Sequence, residues 1–389
     1  MTSPTSSPVL ILSQVHPDLL PSLYSVADVL SGKGSEVHLI TFSSPAGAPP
    51  AVRDAITLHD CGPMSGGLVA RRRARTRFRR LVDEWMKAHR PRAIIVACPF
   101  GYMEALRVRP DDIPLVFMYY EMYDARLRDF HRSPATIFRN WLALRRLSRA
   151  SLVCTPSAER AAWLVGRADL RELPATVLNS PSVRSEAPAA SAASAASIAH
   201  LLPPSVQHKP LVINTGGVTP SRCVKELVAS VAEWNTDAAL VVTNVGNSAY
   251  SDEVRGVAAS SPRRDSIALL PLLPRAEMLA LQRSASVGMS LLRGEDLDTM
   301  LPAPNKIAEY VHAGLLVVTS RSAFTERIAD QGVAVLADSL ESKALATAID
   351  AAVARCLGGG TRESALRAAR EWYSMDVQLS PVLRTLGYA

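Results

Sequence analysis

Two segments in the second half of the chain gather residue types that suit a phosphorylated ligand. The first is NTGGVTPSR (214–222), an apolar run that ends in Gly216 and Gly217 and leads to a helix expected to open near Pro220. Glycines let a backbone come close to a ligand, and a helix start offers unpaired N–H groups and a positive dipole end to an anion. Arg222 falls in the first turn of that helix, where a guanidinium can clamp a diphosphate with two hydrogen bonds. The second segment is PAPNKIAEYVHAGLLVVTS (302–320). Two prolines open a helix with Lys306 in its first turn and Glu309 three residues on, on the same face. Ile307, Tyr310 and Val311 form its apolar stripe, and Gly314 ends it before a buried strand. A lysine at a helix start opposes the dipole unless an anion sits nearby. Glu309 supplies two acceptor oxygens of the kind a sugar diol needs. Taken alone, a GG turn also fits a plain strand-to-helix connection, and Lys306 with Glu309 also fits a solvated helix face.

The elements that must position these residues follow from the apolar runs. In the first half these fall at Val9–Ser13, Glu36–Thr41, Ala93–Cys98, Pro114–Met118 and Ser151–Thr155, with helical stretches such as Pro17–Leu30 and Pro134–Leu147 between some of them. Strands buried on both faces read as continuous apolar runs, so the pattern predicts a mostly parallel sheet covered by helices. After an Ala/Ser/Pro stretch the alternation resumes at 211–216, 238–244, 267–271, 286–292, 315–320 and 333–337. The prediction is an α/β chain of two doubly wound, Rossmann-like domains facing across a cleft. The expected boundaries are 1–184, a linker or loop at 185–207, 208–370, and a tail at 371–389 that packs back on the first domain. In such sheets a ligand binds outside the carboxyl ends of the strands.

Composition agrees with a globular chain. The 389 residues exceed what one core usually serves, 48% are hydrophobic, and neither the 20 glycines nor the 27 prolines suggest a fibrous or disordered protein. Cys61, Cys98, Cys154, Cys223 and Cys356 have no paired spacing, which points to a reducing compartment and to neither a disulfide framework nor a zinc site. Met1–Pro8 lacks basic residues, the apolar run after it is short, and no later run reaches a membrane-spanning length, so no signal peptide or spanning helix is expected. Val9–Ser13 runs into Gln14, Val15, His16, Pro17 and Asp18 with no GxGxxG, and P-loop, HExxH and GxSxG motifs are likewise absent.

The formal charge of +7 is uneven. Seven arginines crowd RRRARTRFRR (71–80), and Phe78, Leu81, Val82, Trp85 and Met86 recur behind them at helical spacing. This reads as a basic amphipathic helix suited to an anionic membrane surface, its apolar stripe packing on the sheet. Nothing in the sequence resembles a nucleic-acid reading element, so nucleic acid is not an expected partner.

The stretch Pro304–Thr319 resembles the nucleotide-sugar-binding helix of the retaining GT-B glycosyltransferases of family 4, of the form P-x-K-x-x-E-Y-x-x-x-G-x-x-V-V. The similarity extends to the GG turn with Arg222, to 337–353, and to RRLSRASLVCTPSAERAAWL (145–164) leading into VLNSP (177–181). The resemblance implies a GT-B fold, with the sugar nucleotide held mainly by the second domain and the acceptor entering from the first. It implies that Glu309 holds the ribose hydroxyls, that Gly216 and Gly217 approach the donor, and that Lys306 and Arg222 neutralise the diphosphate. It further implies transfer with retention of configuration, with no metal and no cofactor beyond the nucleotide-sugar substrate.

Three positions depart from the family pattern. Val218 stands where the family has a basic residue after the GG turn. Leu301 stands where the first of two paired glutamates is expected, which leaves Glu295, Asp296 or Asp298 to touch the sugar. In LVFMYYEMYD (115–124), Tyr120 and Glu121 stand where the family carries a histidine and an acid. Tyr120, Glu121 and His16, the last directly after the first strand, complete the candidate catalytic set with Arg222 and Lys306. The expected activity is sugar transfer to a lipid-linked or polysaccharide-forming acceptor at the cytoplasmic membrane face. A soluble natural-product acceptor and a GT-B-like protein that binds without catalysis are the alternatives.

Overall fold

The computed structural model describes residues 7–16, 20–43, 56–64, 67–120, 134–168, 170, 172–182, 198–295 and 297–388. The chain divides into two compact units, one of residues 1–185 and 375–389 and the other of 186–374. The Ala/Ser/Pro stretch at 183–197 lies outside the described residues, as does Glu121.

The first unit is a parallel seven-stranded sheet in the order β3-β2-β1-β4-β5-β6-β7. Its strands are β1 (Val9–Leu12), β2 (Val37–Thr41), β3 (Ile56–Asp60), β4 (Ala93–Val96), β5 (Leu115–Met118), β6 (Leu152–Thr155) and β7 (Ala175–Thr176). The helices are α1 (Ser22–Gly32), α2 (Leu68–Ala88), α3 (Pro99–Val108), α4 (Pro134–Leu144) and α5 (Ala158–Val165). Side chains alternate between the two faces of each strand. Leu10, Ile94 and Phe117 therefore join Phe78, Val82 and Trp85 of α2 in one core, while Val9, Ile11 and Val116 join Leu23 and Val26 of α1 in the other. That second core also takes Met375, Leu379, Val382, Leu383 and Leu386 from the C-terminal segment. Arg92 fixes the end of the segment, donating from Nε to Leu386 O at 3.0 Å and stacking on the Tyr388 ring.

The second unit is a parallel six-stranded sheet in the order β10-β9-β8-β11-β12-β13. Its strands are β8 (Leu211–Asn214), β9 (Ala239–Val242), β10 (Ile267–Leu269), β11 (Val287–Ser290), β12 (Leu316–Ser320) and β13 (Ala334–Ala337). The helices are α6 (Val224–Ser230), α7 (Ala249–Ser260), α8 (Arg275–Ser284), α9 (Leu297–Met300), α10 (Asn305–His312), α11 (Ala323–Asp330), α12 (Ser342–Leu357) and α13 (Thr361–Glu371). Two short helices, α14 (Met375–Gln378) and α15 (Ser380–Thr385), return the chain to the first unit. In each unit the chain leaves the central strand for one side of the sheet and later resumes on the other. A switch point thus lies beside β1 and β4 in the first unit and beside β8 and β11 in the second, where such sheets bind ligands.

Candidate functional site

The switch point of the second unit is assembled by three segments that meet around Asn214, the last residue of β8. Thr215 and Gly216 follow it, and Gly216 takes a positive φ of 102°, open to glycine at little cost. Here the sequence expectation of a single helix from Pro220 is corrected. Pro220–Arg222 form a 3-10 turn, Cys223 adopts a left-handed conformation with φ 53°, and the α-helix starts only at Val224. Arg222 therefore stands in a loop ahead of α6, not in that helix's first turn. Arg293, just beyond β11, holds the loop in place. Its backbone N–H donates to Ser221 O at 3.1 Å, and its guanidinium forms an ion pair with Glu226 in the first turn of α6.

The helix α10 is fixed by Tyr310. The Tyr310 hydroxyl accepts from the Thr215 backbone N–H at 2.9 Å and lies 3.0 Å from Thr215 Oγ1. Its ring lies over Gly288 of β11, where a Cβ would stand 2.4 Å from Tyr310 Cδ2, so only glycine fits beneath it. Burial also raises the Tyr310 phenol far above its ordinary range, so it stays protonated. These contacts set the rotation of α10 and thereby aim Lys306 and Glu309.

Lys306 Nζ donates to Asn214 Oδ1 at 3.1 Å. The residue keeps partial contact with solvent, but protein surrounds the ammonium densely, and that density governs the cost of its charge. Burial first, and the neighbouring Arg222 charge second, pull its pKa down to about 7. Two basic side chains thus approach each other, Lys306 from the first turn of α10 and Arg222 from the loop ahead of α6, and the hydrogen-bond partner of Lys306 among the described residues is a neutral amide. Asn214 Nδ2 and Ser290 Oγ, at the ends of β8 and β11, are buried without hydrogen-bond partners among the described residues. Glu309, one turn along α10, is mostly buried and lies 3.6 Å from the Arg275 guanidinium at the start of α8. Asn214, Arg275, Gly288, Arg293 and Tyr310 are the parts of this arrangement that the motif reading did not assign to the site.

In the first unit the described candidates are Tyr120 and His16, and both are buried. Against the expectation of a cleft-facing tyrosine, Tyr120 is 5% exposed, its ring belongs to the core shared with α1, and its hydroxyl lies 3.4 Å from Met118 Sδ and is directed toward Ser22. His16 is buried at 4% exposure. Gln14 N–H and Gly101 N–H both donate to Cys98 Sγ at 3.2 Å, so a thiol caps α3 and ties it to the chain leaving β1.

Residues 22–180 match the family model described as Glycosyltransferase Family 4. The whole chain superposes on solved glycosyltransferase structures of the GT-B architecture. Sucrose-phosphate synthase from Thermosynechococcus elongatus aligns with a TM-score of 0.73 at 15% identity, covering 97% of this chain and 99% of that one. The chain has the GT-B fold. The HepE protein of Anabaena, solved in complex with UDP-glucose, aligns with a TM-score of 0.72 at 15% identity over 98% of this chain and 99% of that one. A UDP-forming α,α-trehalose-phosphate synthase from Burkholderia xenovorans gives a TM-score of 0.65 at 15% identity, with 98% of each chain covered. No curated protein sequence is significantly similar to this GT-B chain.

Proposed function

We propose that the second unit binds the nucleoside diphosphate of a sugar donor at the carboxyl ends of β8 and β11, and that the enzyme transfers the sugar with retention of configuration. The observation that carries this reading is the convergence of Lys306 and Arg222 beside the GG turn, with a neutral amide as the lysine's partner. Like charges held together cost energy that a bound diphosphate would offset. Bond cleavage adds negative charge to the departing diphosphate, and cations already in place stabilise that charge more in the transition state than in the ground state. Glu309 holds the ribose diol, with Arg275 keeping its carboxylate oriented. Gly216 and Gly217 let the backbone N–H groups near the phosphates. No step in this scheme calls on a metal ion.

For the acceptor, the names of the similar synthases, which describe sucrose phosphate and trehalose phosphate as products, favour a soluble acceptor. The lipid-linked acceptor remains a second reading because Arg71, Arg72 and Arg73 stand exposed near the start of α2. Along the same helix, Arg77 and Arg79 are tied to Cys61 O and Glu104. No helix of the described residues is long and apolar enough to cross a membrane, so a membrane role would rest on surface docking. Replacing Arg71, Arg72 and Arg73 together by glutamate separates the readings. At about 1 kcal/mol of attraction per basic residue near an anionic surface, the variant loses binding to phosphatidylserine vesicles if the patch is an anchor. Unchanged turnover on a soluble sugar acceptor, with no vesicle binding by the native protein, leaves the soluble reading.

A further inference from the structure

We propose that His38, His59 and His89 form an acid-sensitive latch. At neutral pH their hydrogen bonds pin the C-terminal half of α2 and the edge strand β3 to the sheet of the first unit, and protonation of the cluster releases both. The helix that carries Arg71–Arg80 thereby answers to pH. The latch is independent of the donor site and stands or falls without it.

The contacts fix where the ring protons sit. His38 lies in β2, buried under α2. Trp85 Nε1 stands 3.1 Å from His38 Nδ1, and an indole nitrogen can only donate, so His38 Nδ1 holds a lone pair. His59 Nε2 of β3 lies 2.9 Å from that same nitrogen. Two lone pairs would repel there, so His59 Nε2–H donates as well. His38 therefore keeps its one proton on Nε2 and gives it to Glu36 Oε1 at 2.8 Å. His89, directly after α2, has Nδ1 3.0 Å from the Trp85 carbonyl oxygen, which only accepts, so His89 carries its proton on Nδ1. Its ring stacks on the Trp85 ring with centroids 4.6 Å apart. One set of neutral rings thus satisfies every bond that ties β2, β3 and the end of α2 together.

Each ring has one nitrogen left for an acid proton, and each choice costs something. On His38 Nδ1 the proton would face the Trp85 and His59 N–H groups and break both bonds. On His59 Nδ1 or His89 Nε2 it would set a charge beside His38, whose ring centroid lies 5.2 and 5.5 Å from theirs. The carboxylate in contact is Glu36, whose side chain is 62% exposed and so shares its charge with water. Other neighbours offer no counter-charge: β1 sets Leu10 beside His38, and α2 turns Val82 and Trp85 inward. Arg80 pairs with Glu84, Asp83 with Arg107 and Arg90 with Asp112. In keeping with this, burial first and then the charges of His38 and His89 hold His59 below its ordinary range. The unfolded chain protonates all three rings near an ordinary pKa of about 6.5. Below that pH it binds more protons than the folded chain, so the latch is at full strength above about pH 6.5 and weakens as pH falls.

Hydrogen exchange read by mass spectrometry on the full chain at pH 7.5 and 5.5 tests the latch, with rates corrected for intrinsic exchange and α12 of the second unit as the internal control. Protection of residues 56–60 and 79–88 should fall by up to about tenfold for each histidine the fold keeps from charging, while α12 stays within about twofold. His59→Gln/His89→Asn keeps an N–H donor at each place but cannot charge there, so it should lose most of this pH dependence. No fall in the native protein, an equal fall in α12, or an undiminished fall in the double variant overturns the proposal. If the double variant does not fold, nitrogen NMR of the native histidine rings decides. At pH 7.5 His38 should show a protonated Nε2 and a bare Nδ1, and a protonated Nδ1 overturns the proposal.

Discussion

At the carboxyl end of β1 the protein consumes its own polar groups. Gln14 and Gly101 N–H groups end on Cys98 Sγ, Thr41 Oγ1 reaches Val15 O, and the Tyr120 hydroxyl rests near a thioether. At the carboxyl end of β8 the same topology leaves groups unspent. A lysine rests on an amide beside an arginine, and Asn214 Nδ2 and Ser290 Oγ find no partner among the described residues. Both regions follow from the same alternation of strand and helix, so the fold alone does not separate them. What separates them is the pair of strand ends beside the switch point, since the first unit leaves buried polar atoms without partners among the described residues only farther along its sheet, at Asn179 Oδ1 and Ser180 Oγ after β7, and on its helices, at Ser22 Oγ of α1 and Arg75 Nε of α2. Satisfied groups add stability, whereas unsatisfied ones gathered at one point cost stability and persist where a ligand repays them.

That contrast can be broken most decisively at the cations. Removing both, in Arg222→Ala/Lys306→Ala, should lower kcat/KM by about 10³-fold or more with the fold intact, since each loss of a preorganised charge costs on the order of a hundredfold. Steady-state kinetics with circular dichroism as the folding control checks it. Arg222→Lys should recover little of the loss, because a point charge does not reproduce the guanidinium fork. Wild-type rates in that variant would show that Arg222 acts as charge alone. Glu309→Ala should weaken donor affinity about ten-fold to a hundred-fold by removing charged acceptors from the ribose, read as a dissociation constant. An unchanged constant would remove Glu309 from the ribose role.

The support beneath the site should answer in stability more than in chemistry. Tyr310→Phe leaves the buried Thr215 N–H without its acceptor and should cost about 1–3 kcal/mol in denaturant unfolding. The smallest effect is expected in the first unit. Tyr120→Phe should leave turnover within about twofold and cost at most about 1 kcal/mol of stability, because its hydroxyl is turned into the core toward Met118 and Ser22. A large rate loss there would make the two switch points more alike in use than their contacts indicate.

The strands buried on both faces were legible as apolar runs, and their alternation with helices pointed to parallel sheets. The edge strand β3, ITLHD, was not, because His59 and Asp60 interrupt the run and one side of the strand has no neighbour among the described residues. At β5 the run LVFMYY marks a strand without saying which face each tyrosine takes, and Tyr120 turned inward. Lys306 and Glu309 were readable as candidates because one motif keeps them three residues apart, and Arg222 because it follows closely on the GG turn. The groups that aim them were not, since Thr215 and Tyr310 are 95 residues apart and Arg293 and Glu226 are 67 apart. Gly288 held the one usable hint: a glycine inside the buried strand SVGMSLL marks a close approach by another group, here the Tyr310 ring.

The most direct test of the account is donor binding to native protein and to Arg222→Ala/Lys306→Ala, measured by calorimetry with UDP-glucose at pH 6.5, where the native lysine is mostly charged. The account predicts a dissociation constant raised at least about a hundredfold in the folded double variant. Equal affinity and equal turnover in the two proteins would contradict it and return both side chains to the solvated surface.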